Sequence, residues 1–520
     1  MNSSIIMKKC ISFVLVLIIC FSLNACTKPD NSGTSNGPDG TATEPGNSDR
    51  TDVVYCLTSD IASFDPTYTS EQISVIMYRQ LYDTLVEKDQ NGNWVGKLAE
   101  SWEISEDECT YTFYLRKDVV CHDGQKMTSR DVAYSINNLI QSMAYGDDMV
   151  NMVDCAAIDD YTVELHLSSP YAATLDVLLS YGAIASANNT DYEANPIGTG
   201  PYKFVSRNSG DNIKLEAWNQ YYLGEASIKD LTFKIITDST TQIAALQKGE
   251  IDFLTHCPLN AKNTVEGDSD LVWNETIFRG NTWVIMCQNK PPFDNILARK
   301  AVQYCVDKEA LLFAGSEGLG KTMKTIYPAN LNASPENDYE QPYKYDLEIA
   351  RDYLEKYKAE TGISDVSIKL LEPDTAMYLN PAIAFEDMLR DVGFTVTTEQ
   401  IDRSTFWASI YAKNYQISVN GTSYPGNDCD SHYSCFHSES PQNFFNANNA
   451  DIDKNFDLGR NSTDENVRRE AYANAQKAID EDAVCIPLYQ PANAVAYSAV
   501  LKGVDTENDI YAHFVYDWSW

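Results

Sequence analysis

Two cysteines and two histidines occur in one short run, DCDSHYSCFH, which covers Asp428–His437. They are Cys429, His432, Cys435 and His437. Thiolate and imidazole groups are the ligands that zinc and nickel prefer, so the run is a candidate metal site. The spacing C-x2-H-x2-C-x-H is, however, tighter than that of common structural zinc sites. A metal site, a Cys429–Cys435 disulfide and an ordinary loop all remain open, and the sequence favours the loop.

A second candidate for chemistry is Gly315–Thr322, which fits the phosphate-binding pattern G-x4-G-K-T in full. A working phosphate-binding loop follows a strand and begins a helix, because amides at the helix N-terminus hold the phosphate. In this chain a helical pattern precedes the run, and the residues after it reach Pro328 without helical periodicity. The sequence therefore predicts a loop that follows a helix, and not a nucleotide site.

Other patterns argue against catalysis and against nucleic-acid binding. There is no G-x-S-x-G, no H-E-x-x-H and no convincing Ser/His/Asp order. Lys and Arg number 39 against 75 Asp and Glu, a net charge of −36, whereas phosphate binding needs a basic surface. The chain has 13 cysteines, and those after Cys26 show no C-x-x-C spacing. Disulfides formed after export and free thiols in a reducing habitat both remain open.

The N-terminus has the pattern of an export signal. Two lysines, Lys8 and Lys9, precede an apolar run over Ile11–Leu23, which is shorter than the ~20 residues of a membrane-spanning helix. The run leads into Leu-Asn-Ala-Cys, which ends at Cys26 and resembles a bacterial lipobox. We therefore predict a lipoprotein signal peptide over residues 1–25 and lipidation of Cys26.

Residues 26–50 are predicted to be a flexible tether. From Thr27 to Arg50 the chain contains no aromatic residue and only Ala42 as an aliphatic one. Such a segment cannot bury enough apolar surface to become ordered. It would span roughly 25–30 Å on average, which keeps a lipid-anchored protein near its membrane partner.

The elements that must position any site follow an α/β pattern. In Thr110–Arg116, apolar and polar residues alternate as in a half-buried strand. A turn at Asp123-Gly124 follows, and Thr128 with Asp131 then forms a capping box that begins a helix. The apolar face of this helix contains Val132, Ile136, Leu139 and Ile140. Helix and strand patterns also alternate after Arg299, which indicates a second α/β unit.

Several landmarks of this sequence resemble those of the family 5 solute-binding proteins, which are the oligopeptide- and dipeptide-binding receptors of ABC importers. The landmarks are Leu98–Trp102, Tyr111–Phe113, His122–Gly124, Asn195–Tyr202 and Ile486–Tyr489. The resemblance covers about residues 51–520. It implies an α/β fold of the two-lobed periplasmic-binding-protein type (type II), with an extra subdomain in the first lobe. Two crossing segments would join the lobes, and the ligand would lie in the cleft between them.

The resemblance also implies where the lobes begin and end. The first lobe is expected over 51–282 plus 489–520, with the inserted subdomain at about 91–195, and the second lobe over 283–488. The crossings are expected near Phe278–Trp283 and Ile486–Ala492.

Peptide-binding members of this family hold the α-amino group of the ligand with an aspartate in a second-lobe loop, which usually reads Gly-Trp-x-x-Asp. The matching stretch is Asn420–Asp428, in which Thr422 takes the place of the tryptophan and Asp428 is the first carboxylate. Asp428 is therefore a candidate ligand residue, with a turn as its alternative role. Burying an amine without a carboxylate is costly, so the ligand is either a differently anchored peptide or not a peptide.

Five further residues are candidates for the cleft. Arg403 and Trp407 precede this loop and Tyr424 lies in it, and an arginine can pair a carboxylate through two hydrogen bonds. Asn281 and Trp283 lie at the predicted first crossing. The alternative roles are a surface ion pair for Arg403 and core packing for the aromatic residues.

Together these patterns predict a lipid-anchored, extracytoplasmic receptor that binds peptides and delivers them to the permease of an ABC importer. It is expected to be a monomer without a cofactor and without catalytic activity. A receptor for a nickel complex or an oligosaccharide, and a peptide-pheromone sensor, are alternatives of the same class. A secreted hydrolase is the alternative of a different class.

Overall fold

The structure is a computed structural model that describes residues 50–89, 91–142, 144–145, 148–149, 151–278, 280–423, 426–505 and 514–520. The predicted signal peptide, the lipidation site Cys26, nearly all of the tether and Tyr424 lie outside these ranges. The described strands are β1 (Asp52–Leu57), β2 (Val86–Lys88), β3 (Trp94–Gly96), β4 (Ala99–Ile104), β5 (Thr110–Leu115), β6 (Met152–Asp159), β7 (Thr162–Leu167), β8 (Tyr202–Asn208), β9 (Asn212–Ala217), β10 (Asp230–Ile235), β11 (Phe253–Leu254), β12 (Leu271–Ile277), β13 (Gly280–Met286), β14 (Gly320–Thr322), β15 (Ser367–Pro373), β16 (Thr395–Ile401), β17 (Ile417–Ser423) and β18 (Cys485–Ser498).

The described helices surround these strands. They are α1 (Gln72–Leu81), α2 (Ser129–Ile140), α3 (Thr174–Tyr181), α4 (Ser239–Gln247), α5 (Lys262–Glu266), α6 (Ile296–Cys305), α7 (Lys308–Ser316), α8 (Leu347–Thr361), α9 (Ala376–Val392), α10 (Arg403–Tyr411), α11 (Tyr433–Phe436), α12 (Ala450–Asn461) and α13 (Glu465–Glu481).

One continuous chain of strand pairing runs β16-β15-β17-β13-β18-β11-β1-β10-β9-β8, and β12 and β14 also pair with β18. We call the part with β1, β8–β12 and the C-terminal half of β18 the first lobe. The part with β13–β17 and the N-terminal half of β18 is the second lobe. A separate sheet, β4-β5-β7-β6, belongs to the inserted subdomain of the first lobe. The fold is therefore the two-lobed α/β architecture that the sequence predicts.

Strand β18 belongs to both lobes. Its first half pairs antiparallel with β13, and its second half pairs antiparallel with β12. A β-bulge interrupts the first pairing, because Thr282 faces Tyr489 whereas Trp283 faces Pro487. A bulge leaves one residue outside the regular ladder, which is where a strand tolerates proline.

The inserted subdomain follows its sequence pattern closely. In β5 the side chains of Tyr111, Phe113 and Leu115 are buried and alternate with more exposed residues. Helix α2 begins with the predicted capping box, in which the Thr128 N–H donates to Asp131 Oδ2 at 2.8 Å. These contacts satisfy backbone groups at the helix start that have no partner within the helix.

Two of the sequence landmarks contact each other directly at His122. The His122 N–H donates to the Gly198 carbonyl at 3.0 Å, and the Gly198 N–H lies 3.2 Å from His122 Nδ1. On the other side of the ring, Nε2 lies 2.9 Å from the Gly200 carbonyl. Nε2 therefore carries the proton, and burial lowers the pKa of His122 to about 4. The neutral ring joins the inserted subdomain to the segment that returns from it.

The run Gly315–Thr322 connects helix α7 to strand β14, as its sequence context predicts. Glu317 adopts a left-handed conformation with φ of 52° after the last turn of α7. Residues Gly320 to Thr322 then pair with β18. The order is helix and then strand, which is the reverse of a phosphate-binding loop.

Gly198 packs against the end of α1 so closely that a Cβ would collide with the Leu81 carbonyl oxygen. We expect Gly198→Ala to lower the free energy of unfolding by about 1–3 kcal/mol, since backbone atoms must move to admit the methyl group. Gly426→Ala is the matched control, because a Cβ there meets nothing within 4 Å. Urea unfolding of both variants checks this. Equal stability of the two variants would contradict the packing argument.

Candidate ligand-binding site

A cavity of about 530 Å³ lies between the two lobes. The first lobe contributes Ser70, Ala144, Tyr145, Asp148 and Tyr181. The second lobe contributes side chains from α10, from the end of β17 and from the segment 431–444. Its volume is within the range of pockets that bind small molecules, and its position matches the predicted interlobe cleft.

Helix α10 supplies two aromatic walls of the cavity, Trp407 and Tyr411, which are four residues apart and therefore lie on one helix face. Asp402 caps this helix by accepting hydrogen bonds from the N–H groups of Ser404 and Thr405, each at 3.1 Å. The Trp407 ring lies 5.8 Å from the Tyr411 ring, and Tyr411 meets Phe444 edge-on at 6.4 Å. The second lobe thus offers a fixed aromatic surface.

The opposite wall is a tyrosine pair in the inserted subdomain. The rings of Tyr145 and Tyr181 lie 4.5 Å apart, and the Tyr145 hydroxyl lies 2.7 Å from the Thr69 carbonyl. The Tyr181 hydroxyl is hydrogen-bonded to Asp148. Burial, followed by the Asp148 charge, raises the pKa of Tyr181 well above its usual value, so the hydroxyl stays protonated and donates. Among the described lining residues, Asp148 is the only one with a carboxylate or a cationic group.

Beside the cavity the lobes touch through polar side chains. The Tyr171 hydroxyl of the first lobe donates to Asp430 Oδ2 of the second at 3.1 Å. The Asn332 amide of the second lobe donates to Asp176 Oδ2 of the first at 2.9 Å. Asp430 is also bound by Arg460, whose Nη2 lies 2.8 Å from Oδ2. These are among the contacts that a change in the angle between the lobes must break.

Two of the predicted site residues, Arg403 and Trp407, belong to α10. Trp407 lines the cavity, and its contact with a ligand stays a prediction. Arg403 is the exposed first residue of α10, outside the described lining. Tyr424 lies outside the described residues, so its role stays a prediction.

Trp283 and Asn281 lie in the interior of the second lobe. The Trp283 ring is fully buried, and its Nε1 donates to Asn420 Oδ1 at 2.6 Å. Phenylalanine rings surround it, with Phe445 at 5.6 Å. Asn281 is also buried, and its amide donates to the Ile326 carbonyl at 2.8 Å. Neither side chain is among the described residues that line the cavity. This arrangement is the core packing that was the alternative for Trp283.

Asp428 forms a buried ion pair rather than a wall of the cavity. Both of its carboxylate oxygens accept hydrogen bonds from Arg468, one at 3.0 Å. Burial alone would lower the pKa of Arg468, but the Asp428 charge more than offsets it and the pKa lies above its usual value. Asp428 also caps the next turn by accepting from the Asp430 N–H at 2.9 Å. The carboxylate is therefore occupied within the second lobe.

The side chains of the cysteine and histidine cluster have different surroundings. Cys429 and Cys435 are free thiols, so the disulfide interpretation is wrong. Within the described part of the chain, no group of three or more His, Cys, Asp and Glu side chains is placed to hold a metal ion. Burial lowers the pKa of His432 to about 3, so the ring is neutral. His437 stacks on the Tyr433 ring at 4.4 Å, while Cys435 lines the cavity.

Sequence reasoning missed the first-lobe side of the cavity. Tyr145 and Asp148 follow α2 in a stretch without helical or strand periodicity, and Tyr181 is the last residue of α3. Tyr181 of α3 contacts both Tyr145 and Asp148, which brings the three residues together. The only available signal was the resemblance, which places an inserted subdomain there.

None of the helices in the described ranges combines the length and apolar character that crossing a membrane requires.

The sequence is similar to several known binding proteins. It is 28% identical to the glutathione-binding protein GsiB of Pectobacterium atrosepticum, over 59% of this chain and 61% of the relative, so less than two thirds of that protein is matched. It is 25% identical to heme-binding protein A of Haemophilus influenzae over 92% of this chain and 94% of the relative. With the dipeptide-binding protein of Escherichia coli it shares 26% identity over 88% and 91% of the two chains.

Solved structures show the same fold. The substrate-binding protein CtaP of Listeria monocytogenes superposes with a TM-score of 0.80, at 23% identity over 90% of this chain and 99% of that one. NikZ of Campylobacter jejuni, solved with Ni(L-His), superposes with a TM-score of 0.77, at 23% identity over 91% and 100%. The family model described as "Bacterial extracellular solute-binding proteins, family 5 Middle" matches residues 93–444, more than half of the chain. The protein therefore belongs to the family 5 extracellular solute-binding proteins, the substrate-binding proteins of ABC importers.

Proposed function

We propose that this protein is a peptide receptor, which binds a short peptide in the interlobe cavity and delivers it to the permease of an ABC importer. The observation that carries the proposal is the cavity itself, with aromatic rings on both lobes and hydroxyl and amide groups between them. The aromatic faces suit apolar side chains, and Ser423, Ser431 and Gln442 suit the backbone of a peptide. Two of the relatives are named for glutathione and dipeptides, which are peptides too.

The receptor works by closure of its lobes on the ligand. Hinge motion requires a few connecting residues that absorb the change in backbone angles. We place these residues between β12 and β13 and in the middle of β18. The lobe boundaries follow as 51–282 plus 489–520 for the first lobe and 283–488 for the second.

We further propose that the protein is exported and held at the outer face of the membrane by a lipid on Cys26. The basic residues, the apolar run and the Leu-Asn-Ala-Cys sequence support this assignment. The tether after Cys26 would let the receptor reach the permease while it stays anchored.

Native mass spectrometry of the purified protein with a mixture of short peptides tests the peptide assignment. We expect a bound ligand that fragments as amino acids and that has the same mass after release as before binding. A nickel-containing or sugar-sized adduct in place of a peptide would overturn the assignment, and turnover of the peptide would indicate a hydrolase.

Tyr411→Ala removes an aromatic wall of the cavity and is expected to weaken peptide binding about tenfold, or about 1.4 kcal/mol. Tyr345→Ala is the matched control, since the two side chains are 48% and 51% exposed and Tyr345 does not line the interlobe cavity. Calorimetry with the identified peptide measures both. If the two variants bind alike, the ligand does not occupy this cavity.

Tyr171→Phe removes the hydroxyl that joins the inserted subdomain to Asp430. The arrangement in which the lobes touch should become less stable by about 0.5–1.5 kcal/mol, because this is the net contribution of one hydrogen bond. Small-angle scattering without ligand is expected to show a larger radius of gyration. Tyr114→Phe, which removes an exposed hydroxyl from the same subdomain, should leave the radius unchanged. An unchanged radius for Tyr171→Phe would mean that this contact does not hold the lobes together.

Cys26→Ser is expected to abolish labelling by a radioactive fatty acid and to release the protein from the membrane fraction, because serine has no thiol to which the lipid can be attached. Cys20→Ser, within the apolar run, is the control and should remain labelled. Labelling that persists in Cys26→Ser would contradict the lipoprotein assignment.

A further inference from the structure

We propose that the interlobe cavity selects ligands that carry a cationic group, an ammonium above all, and that Asp148 of the first lobe binds that group. The inference rests on the proposed function, because it concerns the same cavity. It differs from the expectation drawn from the sequence, in which a second-lobe aspartate would hold the ligand amine.

The described lining of the cavity is negatively charged. Of the described residues that line it, Asp148 alone is charged. The two arginines near the segment 428–437 are occupied, since Arg460 binds Asp430 and Arg468 binds Asp428. The whole chain carries a net charge of −36, so its field also attracts cations. A ligand whose only charge is negative would meet Asp148 without a compensating cation.

Asp148 is held by contacts within the first lobe. Its backbone N–H donates to the Tyr145 carbonyl at 2.9 Å. Its carboxylate accepts the Tyr181 hydroxyl, and the Tyr181 ring packs on Tyr145. A carboxylate has lone pairs for several donors, so it can accept from an ammonium as well as from Tyr181. Asp148 is thus half-buried, bound to Tyr181 and part of the cavity wall.

The second lobe supplies an aromatic surface across the cavity from Asp148. Trp407 and Tyr411 of the second lobe face the cavity that Asp148 enters from the first. Indole and phenol faces attract cations, and the attraction grows when water is excluded. A cation between the lobes would therefore be stabilised by both, and it would favour their closure.

The alternative anchor, Asp428, is ruled out by its own contacts. Both of its oxygens are bound by Arg468 in the interior of the second lobe. Freeing this carboxylate would leave the arginine buried without its partner, which is strongly unfavourable. Asp148 takes over the role that the family assigns to a second-lobe aspartate.

Peptides in three forms test the proposal: tripeptides Xaa-Ala-Ala with free termini, the same peptides N-acetylated, and the same peptides C-amidated. Binding is measured by calorimetry on the full chain and on Asp148→Asn, Asp148→Glu and Asp154→Asn. Asp154 is the control, because it is an exposed carboxylate of the same subdomain, paired with His166 on the surface.

N-acetylation is expected to weaken binding roughly 30-fold or more, because it removes one partner of a charge pair that is buried in the complex. Amidation should not weaken it, because the described lining of the cavity contains no cationic side chain to bind the carboxylate. Asp148→Asn should bind the free peptides as weakly as the wild type binds the acetylated ones, and Asp148→Glu should recover part of the loss. Asp154→Asn should bind like the wild type.

Two results would overturn the proposal while leaving the peptide receptor intact: acetylated peptides that bind as tightly as free ones, or free peptides that bind Asp148→Asn as they bind the wild type. If no peptide binds, spermidine and maltotriose are tested next. Binding of spermidine that Asp148→Asn abolishes would support the cation site and refute the peptide assignment. Binding of maltotriose alone would refute both.

Discussion

The pairing of β18 with β12 and β13 is the constraint on which the rest of this structure depends. One strand of fourteen residues is shared by the sheets of both lobes, so each lobe is completed by the same piece of chain. The connection has to bend if the lobes are to move, and the bulge opposite Thr282 and Trp283 interrupts its ladder at the right place. The cavity lies to the side of this shared strand, between the inserted subdomain and the second lobe.

Two ion pairs lie in the interior of the second lobe. Asp428 and Asp430 hold Arg468 and Arg460, and these pairs anchor a segment that packs against Trp283 and its phenylalanine neighbours. Breaking such a buried pair is costly, so the pairs fix the segment rather than exchange partners with a ligand. The surface left to the ligand is aromatic and hydroxylic, and the carboxylate beside it comes from the first lobe.

Local patterns predicted local structure well. The alternation in β5, the Thr128 and Asp131 capping box and the helix before Gly315–Thr322 are all present, because each depends on residues a few positions apart. Residues whose roles depend on distant partners were harder to place. Trp283 was a candidate for the cleft because it lies at a crossing, but the side of the strand it faces is decided by packing in the second lobe.

The sequence by itself determined the family, the two-lobed α/β fold and the absence of a phosphate-binding loop, since these follow from motifs and from the order of helices and strands. Only the tertiary structure decided which side chains face the cavity. Asp148 and Trp407 are separated by about half of the chain, and no local pattern relates them. Asp428 is the first carboxylate after the position where the family has its aspartate, but in the fold Arg468 binds it. Burial selects the partner of each charge, and burial is a property of the whole fold.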